Sequence, residues 1–120
     1  MHLIIDGQDV DKKKLEDLEL IYRILDKLPD EIRMTKIMPP YVFKYKGVEP
    51  LDWGISGFVL IAESHISIHT FPERGYVNID IFSCKWFDTE IVISYLKNIF
   101  SLKDLTIKTI ERGLEYIKNG

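Results

Sequence analysis

The sequence has a single cysteine, Cys84, so no disulfide can form within the chain. An unpaired thiol is typical of a reducing compartment, which favours the cytoplasm. Long apolar segments are also missing: the longest uninterrupted run is residues 58–62, and no basic start followed by an apolar core marks the amino terminus. We therefore expect a soluble, cytoplasmic protein with no membrane partner.

Positive charge is scarce as well. The chain has 16 Lys and Arg against 19 Asp and Glu, a net charge of −3, and no basic cluster stands out. Such a chain lacks the field that attracts a nucleic-acid backbone, so we expect no nucleic-acid partner. Its 120 residues suffice for a single domain, residues 1–120, but burial is incomplete at this size, and a partner copy would help to complete it.

Two amphipathic helices are predicted from apolar residues at helical spacing. The first begins after a cap at Asp9 or Asp11, ends at Pro29 and has an inward stripe made of Leu15, Leu18, Ile21, Tyr22, Leu25 and Leu28. The second follows a cap at Asp88 or Thr89 and extends from Glu90 to about Phe100, with Val92, Tyr95, Leu96 and Ile99 facing inward.

Alternating or β-branched segments predict strands at 2–7, 41–45, 55–62, 66–71, 76–84 and 105–108, with a short extended piece at 32–38 and a tail after Gly113. Their order and short connections indicate an α+β fold, a largely antiparallel sheet with two helices on one face. The other face keeps many apolar residues. It is therefore expected to pair sheet to sheet in a dimer, as a four-layer αββα sandwich.

The stretch from Ile55 to Phe71 is too long for one strand of a small domain. Its least strand-like point is Glu63-Ser64-His65, where we predict a bend. Hydrogen bonding at the end of a hairpin explains Ser64, His65 or His69 taken alone. His65 and His69 are four positions apart, about 13 Å along a strand, which is too far for one metal ion, so we predict no metal site.

Taken together, the polar residues of this region fall into one ordered motif. It consists of Gly54-Ile55-Ser56-Gly57, Ala62-Glu63-Ser64-His65, Ile68-His69-Thr70, Phe71-Pro72-Glu73 and Phe82-Ser83-Cys84. The motif resembles that of the prokaryotic-type S-adenosylmethionine decarboxylases, proenzymes that make a pyruvoyl cofactor by cutting their own backbone at a serine. The resemblance is strong from Gly54 to Cys84 and weaker at His2-Leu3-Ile4 and over the remaining length.

The resemblance implies a role for each motif residue. The chain would be cut between Glu63 and Ser64, and Ser64 would become the pyruvoyl group that forms a Schiff base with the substrate. Ser56 and His69 would assist the cut, and Cys84 would be the catalytic proton donor. The family also implies a homodimer with active sites at or near its interface.

Two further residues are implied as nucleoside contacts. Phe71 stands where the family usually has a tryptophan that stacks on adenine, and Glu73 would accept hydrogen bonds from ribose hydroxyls. The family also has an aromatic residue a few positions before the first glycine of the motif. The loop is longer here, and both Tyr45 and Trp53 are candidates for that position.

These roles agree with the chemistry of the side chains. Decarboxylation of an α-amino acid needs an electron sink, which a pyruvoyl group provides without a bound cofactor. His69 suits a base because imidazole titrates near neutrality, and Ser56 suits a hydrogen-bond donor to an oxyanion. On an unbroken strand, Ser64 and His69 would point to opposite faces, so their proximity is implied by the resemblance alone.

The favoured hypothesis is a decarboxylase of S-adenosylmethionine that supplies the propylamine donor for spermidine and other polyamines. One alternative keeps the pyruvoyl chemistry but acts on arginine or ornithine, against which Glu73 and an adenine-stacking ring argue. The other is a non-catalytic regulatory homologue, against which the presence of every motif residue argues.

Overall fold

The computed structural model describes residues 1–113 and 115. Its elements in chain order are β1 (His2–Gln8), α1 (Lys12–Leu15), α2 (Leu18–Glu31), β2 (Thr35–Lys36), β3 (Tyr41–Tyr45), β4 (Gly54–Ala62), β5 (Ser64–Phe71), β6 (Tyr76–Ser83), α3 (Thr89–Phe100) and β7 (Asp104–Ile110). Short 3₁₀ turns, Pro50–Asp52 and Pro72–Arg74, precede β4 and β6. Apart from Glu115, the tail predicted after Gly113 lies outside the described residues.

All strand pairings of the described residues are antiparallel, in the order β2-β4-β5-β6-β1-β7, and β3 pairs with β4 as well. Strands β4, β5 and β6 follow one another as neighbours because their connections are short. The amino-terminal strand β1 inserts between β6 and β7. The predicted α+β class with a largely antiparallel sheet is confirmed.

One face of this sheet forms the core. Alternate residues of the central strands are fully buried, as the predicted period-2 pattern of Val77, Ile79 and Ile81 illustrates. They join one apolar cluster with Ile21, Ile24, Leu25 and Leu28 of α2 and Val92, Leu96 and Phe100 of α3. Each such side chain contributes about 1.5–3 kcal/mol of transfer free energy, so the helices are held on this face.

In the single chain, the opposite face of the sheet is exposed and carries both apolar and polar side chains. Tyr41, Phe43, Phe58 and Leu60 all remain exposed there, with the Tyr41 ring centroid 5.6 Å from that of Phe43 and 5.8 Å from that of Phe58. Ser56 of β4 and His65, Ser67 and His69 of β5 lie on the same face as these residues. Two of the predicted functional residues, Ser56 and His69, therefore lie on the uncovered face.

The first predicted helix is two helices. Asp11 caps the single turn of α1, and Asp17, whose carboxylate accepts from the Leu20 N–H at 3.1 Å, begins α2 separately. The prediction that Pro29 ends the helix is wrong, since α2 continues to Glu31. Pro29 lies in the last turn, where its missing N–H costs one hydrogen bond, and the Met34 N–H still closes onto the Pro29 carbonyl at 2.8 Å.

The predicted inward stripe of this helix is also partly wrong. Leu18 and Tyr22 are 40% and 39% exposed, whereas Ile24, which was not assigned to the core, is fully buried. At 3.6 residues per turn, Leu18 and Tyr22 lie roughly 70–110° around the axis from the centre of the buried stripe. They therefore lie at its edge, where the sheet no longer covers them.

Candidate active site

The predicted cleavage bond lies in the tight connection between β4 and β5. Glu63 alone forms the turn, and Ser64 already pairs with Ser83 as the first residue of β5, so the bend is narrower than the three residues predicted. The Ala62–Glu63 peptide bond is cis. Ser64 has a φ of 145°, a region that residues with side chains rarely adopt and that costs about 1–3 kcal/mol. Backbone strain of this kind is typical of functional sites.

Cys84 lies directly beside this bond. Its backbone N–H donates to the Glu63 carbonyl oxygen at 3.2 Å, and its thiol side chain is half-buried. Lys85, the next residue, has its Nζ 3.7 Å from the Glu63 carboxylate. The structure therefore brings three predicted site residues, Glu63, Ser64 and Cys84, into one group, which we call the Ser64 cluster.

Ser56 and His69 form a second group, the His69 cluster. They are cross-strand partners on β4 and β5, with 3.1 Å between Ser56 Oγ and His69 Nδ1. Five positions of the unbroken strand β5 separate His69 from Ser64, roughly 16 Å. The single chain therefore does not bring the two predicted processing residues to Ser64.

The His69 cluster opens into a cavity of about 260 Å³ that also involves Phe43, Tyr45, Asp52, Gly54, Thr70 and Phe71. Phe71, the predicted adenine contact, thus lies next to Ser56 and His69. Of the two upstream aromatic candidates, Tyr45 lines the cavity, and Trp53 instead donates its Nε1–H to Glu73 at 3.2 Å. Sequence reasoning assigned no role to Phe43, although the alternation of Tyr41, Phe43 and Tyr45 could have indicated it.

Glu73 lies in the turn after β5, close to this cavity in sequence but not among its lining residues. The Lys12 ammonium lies 2.7 Å from its carboxylate. Hydrogen bonds from Lys12 and, second, from Trp53 lower the pKa of Glu73 below its usual range. The carboxylate is therefore an ionised acceptor at neutral pH, as a contact to ribose hydroxyls requires.

His65 makes a contact that sequence reasoning did not foresee. Its Nδ1 lies 3.3 Å from the Ser64 Oγ, and its ring meets the Phe82 ring edge-on at 5.9 Å between centroids. Neighbouring residues on a regular strand point to opposite faces, so their adjacency in sequence did not predict this contact. It depends on the unusual φ of Ser64.

Comparison with known proteins shows to which family the chain is related. The family model described as S-adenosylmethionine decarboxylase matches residues 1–113. The chain belongs to the S-adenosylmethionine decarboxylase family. This confirms the family predicted from the motif.

Individual members of the S-adenosylmethionine decarboxylase family are similar over nearly the whole chain. A protein of Clostridium botulinum (strain Langeland), named S-adenosylmethionine decarboxylase proenzyme, is 41% identical over 113 residues, covering 93% of this chain and 92% of the relative. One of the same name from Pyrococcus abyssi is 32% identical over 115 residues, covering 95% and 78%. The crystal structure of the adenosylmethionine decarboxylase from Aquifex aeolicus has a TM-score of 0.78 and 29% identity, covering 94% and 89%.

Within residues 1–113 and 115, no group of three or more His, Cys, Asp or Glu is placed to hold a metal ion. None of the described helices combines the length and apolar character needed to cross a membrane. A larger cavity, about 390 Å³ between the end of α2 and the start of α3, contains none of the predicted site residues.

Proposed function

We propose that this single-domain chain is a proenzyme that cuts itself between Glu63 and Ser64 and, with a pyruvoyl group derived from Ser64, decarboxylates S-adenosylmethionine. The product is the propylamine donor for spermidine and other polyamines. The observation that carries the proposal is the geometry at the bond: a strained serine follows a carbonyl whose oxygen is already held by the Cys84 N–H. Family membership favours this reading over the arginine, ornithine and regulatory alternatives.

The residues at the bond fit the formation of a pyruvoyl group. When the Ser64 hydroxyl attacks the Glu63 carbonyl carbon, negative charge develops on an oxygen that faces the Cys84 N–H, a donor already in place. The amide then becomes an ester. Removal of the Ser64 α-proton, the role we assign to His69, expels the Glu63 carboxylate and leaves dehydroalanine, which water converts to pyruvoyl and ammonia. Once formed, the pyruvoyl group supplies the electron sink that decarboxylation requires.

We also propose that the active enzyme is a homodimer. Cys84 is the residue that follows β6, and the His69 cluster lies on the face of the sheet opposite the core. A two-fold axis parallel to the sheet, lying between the two facing sheets and midway between the clusters, would place the His69 cluster of one protomer against the Ser64 cluster of its partner. Pairing the two sheets in this way gives the four-layer αββα sandwich and buries exposed aromatic residues such as Tyr41 and Phe58.

The cavity beside the His69 cluster is the proposed nucleoside site. Phe43, Tyr45 and Phe71 offer aromatic faces to adenine or to the sulfonium cation. At about 260 Å³, the cavity is slightly smaller than the roughly 300–1,000 Å³ of usual ligand sites, as expected if a second protomer completes it.

Intact-mass spectrometry tests the proposal. We expect two fragments, residues 1–63 and residues 64–120, the second carrying a pyruvoyl group at its amino end, and we expect Ser64→Ala to remain one chain. Release of carbon dioxide from S-adenosylmethionine, arginine and ornithine is measured in parallel and is expected only for the first. A wild-type protein that stays uncut after long incubation would refute self-processing, and turnover of arginine or ornithine alone would refute the substrate.

A further inference from the structure

We infer that His65 is the catalytic base of the first self-processing step and takes the proton of the Ser64 hydroxyl as its oxygen attacks the Glu63 carbonyl carbon. The inference rests on the proposed function, because it assigns a residue to that self-cleavage. The observation behind it is the 3.3 Å contact between His65 Nδ1 and Ser64 Oγ. A base must be within hydrogen-bond reach of the proton it removes, and His65 is at about that distance.

His69 does not occupy this position. Its ring lies roughly 16 Å further along β5, and its Nδ1 contacts Ser56 Oγ at 3.1 Å. His65 reaches the Ser64 hydroxyl within the same chain, whereas His69 reaches it only if a second protomer supplies it. Two histidines therefore serve two different protons, His65 that of the Ser64 hydroxyl and His69 that of the Ser64 α-carbon.

The surroundings of His65 keep its ring ready to accept a proton. Burial, followed by the nearby His2 and Arg112, lowers the pKa of His65, and Asp80 opposes this shift. A neutral imidazole that carries its hydrogen on Nε2 has a free lone pair on Nδ1, the atom that faces Ser64. The edge-on contact with Phe82 holds the ring in this orientation.

The step balances without another reactant. As the bond from Ser64 Oγ to the Glu63 carbonyl carbon forms, the hydroxyl proton moves to His65 Nδ1, and the carbonyl oxygen takes a negative charge that the Cys84 N–H stabilises. The tetrahedral adduct collapses by breaking the bond between that carbon and the Ser64 nitrogen. This nitrogen takes the proton back from His65, which leaves an ester, a free amine and a neutral imidazole.

Hydroxylamine isolates this step, because it splits esters far faster than backbone amides. In His69→Ala the elimination is blocked, so ester in equilibrium with amide should be split between Glu63 and Ser64. Adding His65→Asn, which keeps a hydrogen-bond acceptor but no basic nitrogen, should slow the splitting by about 100-fold, the lower end of general-base contributions.

The matched control is His2→Asn in the same His69→Ala background, measured at pH 8. The His2 ring centroid also lies near the Phe82 ring, at 6.0 Å, but its hydrogen-bond partners are Asp80 and Arg112 rather than Ser64. This control should split at the rate of His69→Ala. Circular dichroism and thermal melting compare the folding of all variants, and His65→Gln provides a second substitution should His65→Asn not fold.

Two measurements distinguish a role of His65 as a base from a role in packing alone. Added imidazole should restore splitting in a His65→Gly/His69→Ala variant. With the concentration of unprotonated hydroxylamine held constant, the splitting rate of His69→Ala should also fall as the pH drops through a value below about 6.5, the ordinary pKa of histidine, with an inflection that is absent from the His65→Asn/His69→Ala protein.

Equal splitting rates with and without His65 would overturn the inference, as would the absence of imidazole rescue. Cleavage and pyruvoyl formation in the wild type are followed in parallel. If the wild type forms pyruvoyl normally while His65 proves dispensable, the proposed function stands and only the role of His65 is lost. A wild type that remains one chain overturns both.

Discussion

In the proposed reaction, Cys84 contributes its backbone and its side chain to different steps. The N–H that contacts the Glu63 carbonyl survives in Cys84→Ala, so this variant should cut itself normally. The thiol is the proposed proton donor, and its loss should lower carbon dioxide release from S-adenosylmethionine by at least about 100-fold. Intact mass measures the first quantity and a decarboxylation assay the second. Full activity in Cys84→Ala would contradict a catalytic role of the thiol and leave it only a packing role.

The candidate site shows how far single residues can be predicted from sequence. The ordered motif predicts Ser56, Glu63, Ser64, His69 and Cys84 as site residues because each stands at a fixed place in it, and their roles stay predictions. The choice between Tyr45 and Trp53 could not be made from the sequence, since it depends on the conformation of the loop that contains the 3₁₀ turn Pro50–Asp52, and the structure has Tyr45 but not Trp53 lining the cavity. Loop conformation of this kind depends on tertiary contacts such as the Trp53–Glu73 hydrogen bond.

At the scale of elements, Thr70 of β5 forms hydrogen bonds to both β4 and α1. Its buried hydroxyl accepts from the Ile55 N–H of β4 at 2.9 Å and donates to the Leu15 carbonyl of α1 at 2.7 Å. Thr70→Val keeps the shape but removes both bonds, and each buried backbone group left without a partner costs about 1–3 kcal/mol. We expect a clear loss of unfolding free energy in a urea titration.

The titration should use the Ser64→Ala background, so that uncut chains unfold, and every variant is measured at the same protein concentration, because the urea midpoint of a dimer depends on concentration. Thr106→Val, at an exposed position of β7, is the matched control and should change the unfolding free energy by no more than about 0.5 kcal/mol. An unchanged urea midpoint in Thr70→Val would contradict the importance of these two bonds.

Strands were easier to predict than helices in this chain, for a physical reason. A strand with one buried face repeats every two residues, so Val77, Ile79 and Ile81 alone define both β6 and its inward face. The apolar spacing from Leu15 to Leu28 continues across residues 16 and 17, and it hides the point where one helix ends and Asp17 caps the next. A short polar side chain can terminate and restart a helix without disturbing the apolar pattern.

At the scale of the whole molecule, the division of the site into two clusters could not be derived from the sequence. It follows from β5 running unbroken from Ser64 to Phe71, which keeps His69 roughly 16 Å from Ser64. A break in the strand would have allowed both residues to meet within one chain. The single chain thus carries the two clusters of the proposed reaction on one sheet, but it does not bring them into contact.

Mixed dimers test whether a second protomer joins these halves. Neither Ser64→Ala nor His69→Ala should form pyruvoyl when expressed alone. In a mixed dimer, one site combines the intact Ser64 of the His69→Ala chain with the intact His69 of the Ser64→Ala chain. With random pairing of equal amounts, about half of the His69→Ala chains should therefore cut themselves and form pyruvoyl.

Tags of different mass on the two chains allow intact-mass spectrometry to identify which chain is cut, and native mass spectrometry counts the mixed dimers. The control pairs His69→Ala with a Ser64→Ala/His69→Ala chain, which forms the same dimer but supplies no His69 and should leave every chain uncut. If the His69→Ala chain also stays uncut beside Ser64→Ala although mixed dimers are present, His69 does not act across the interface. The elimination step would then require β5 to bend within one chain.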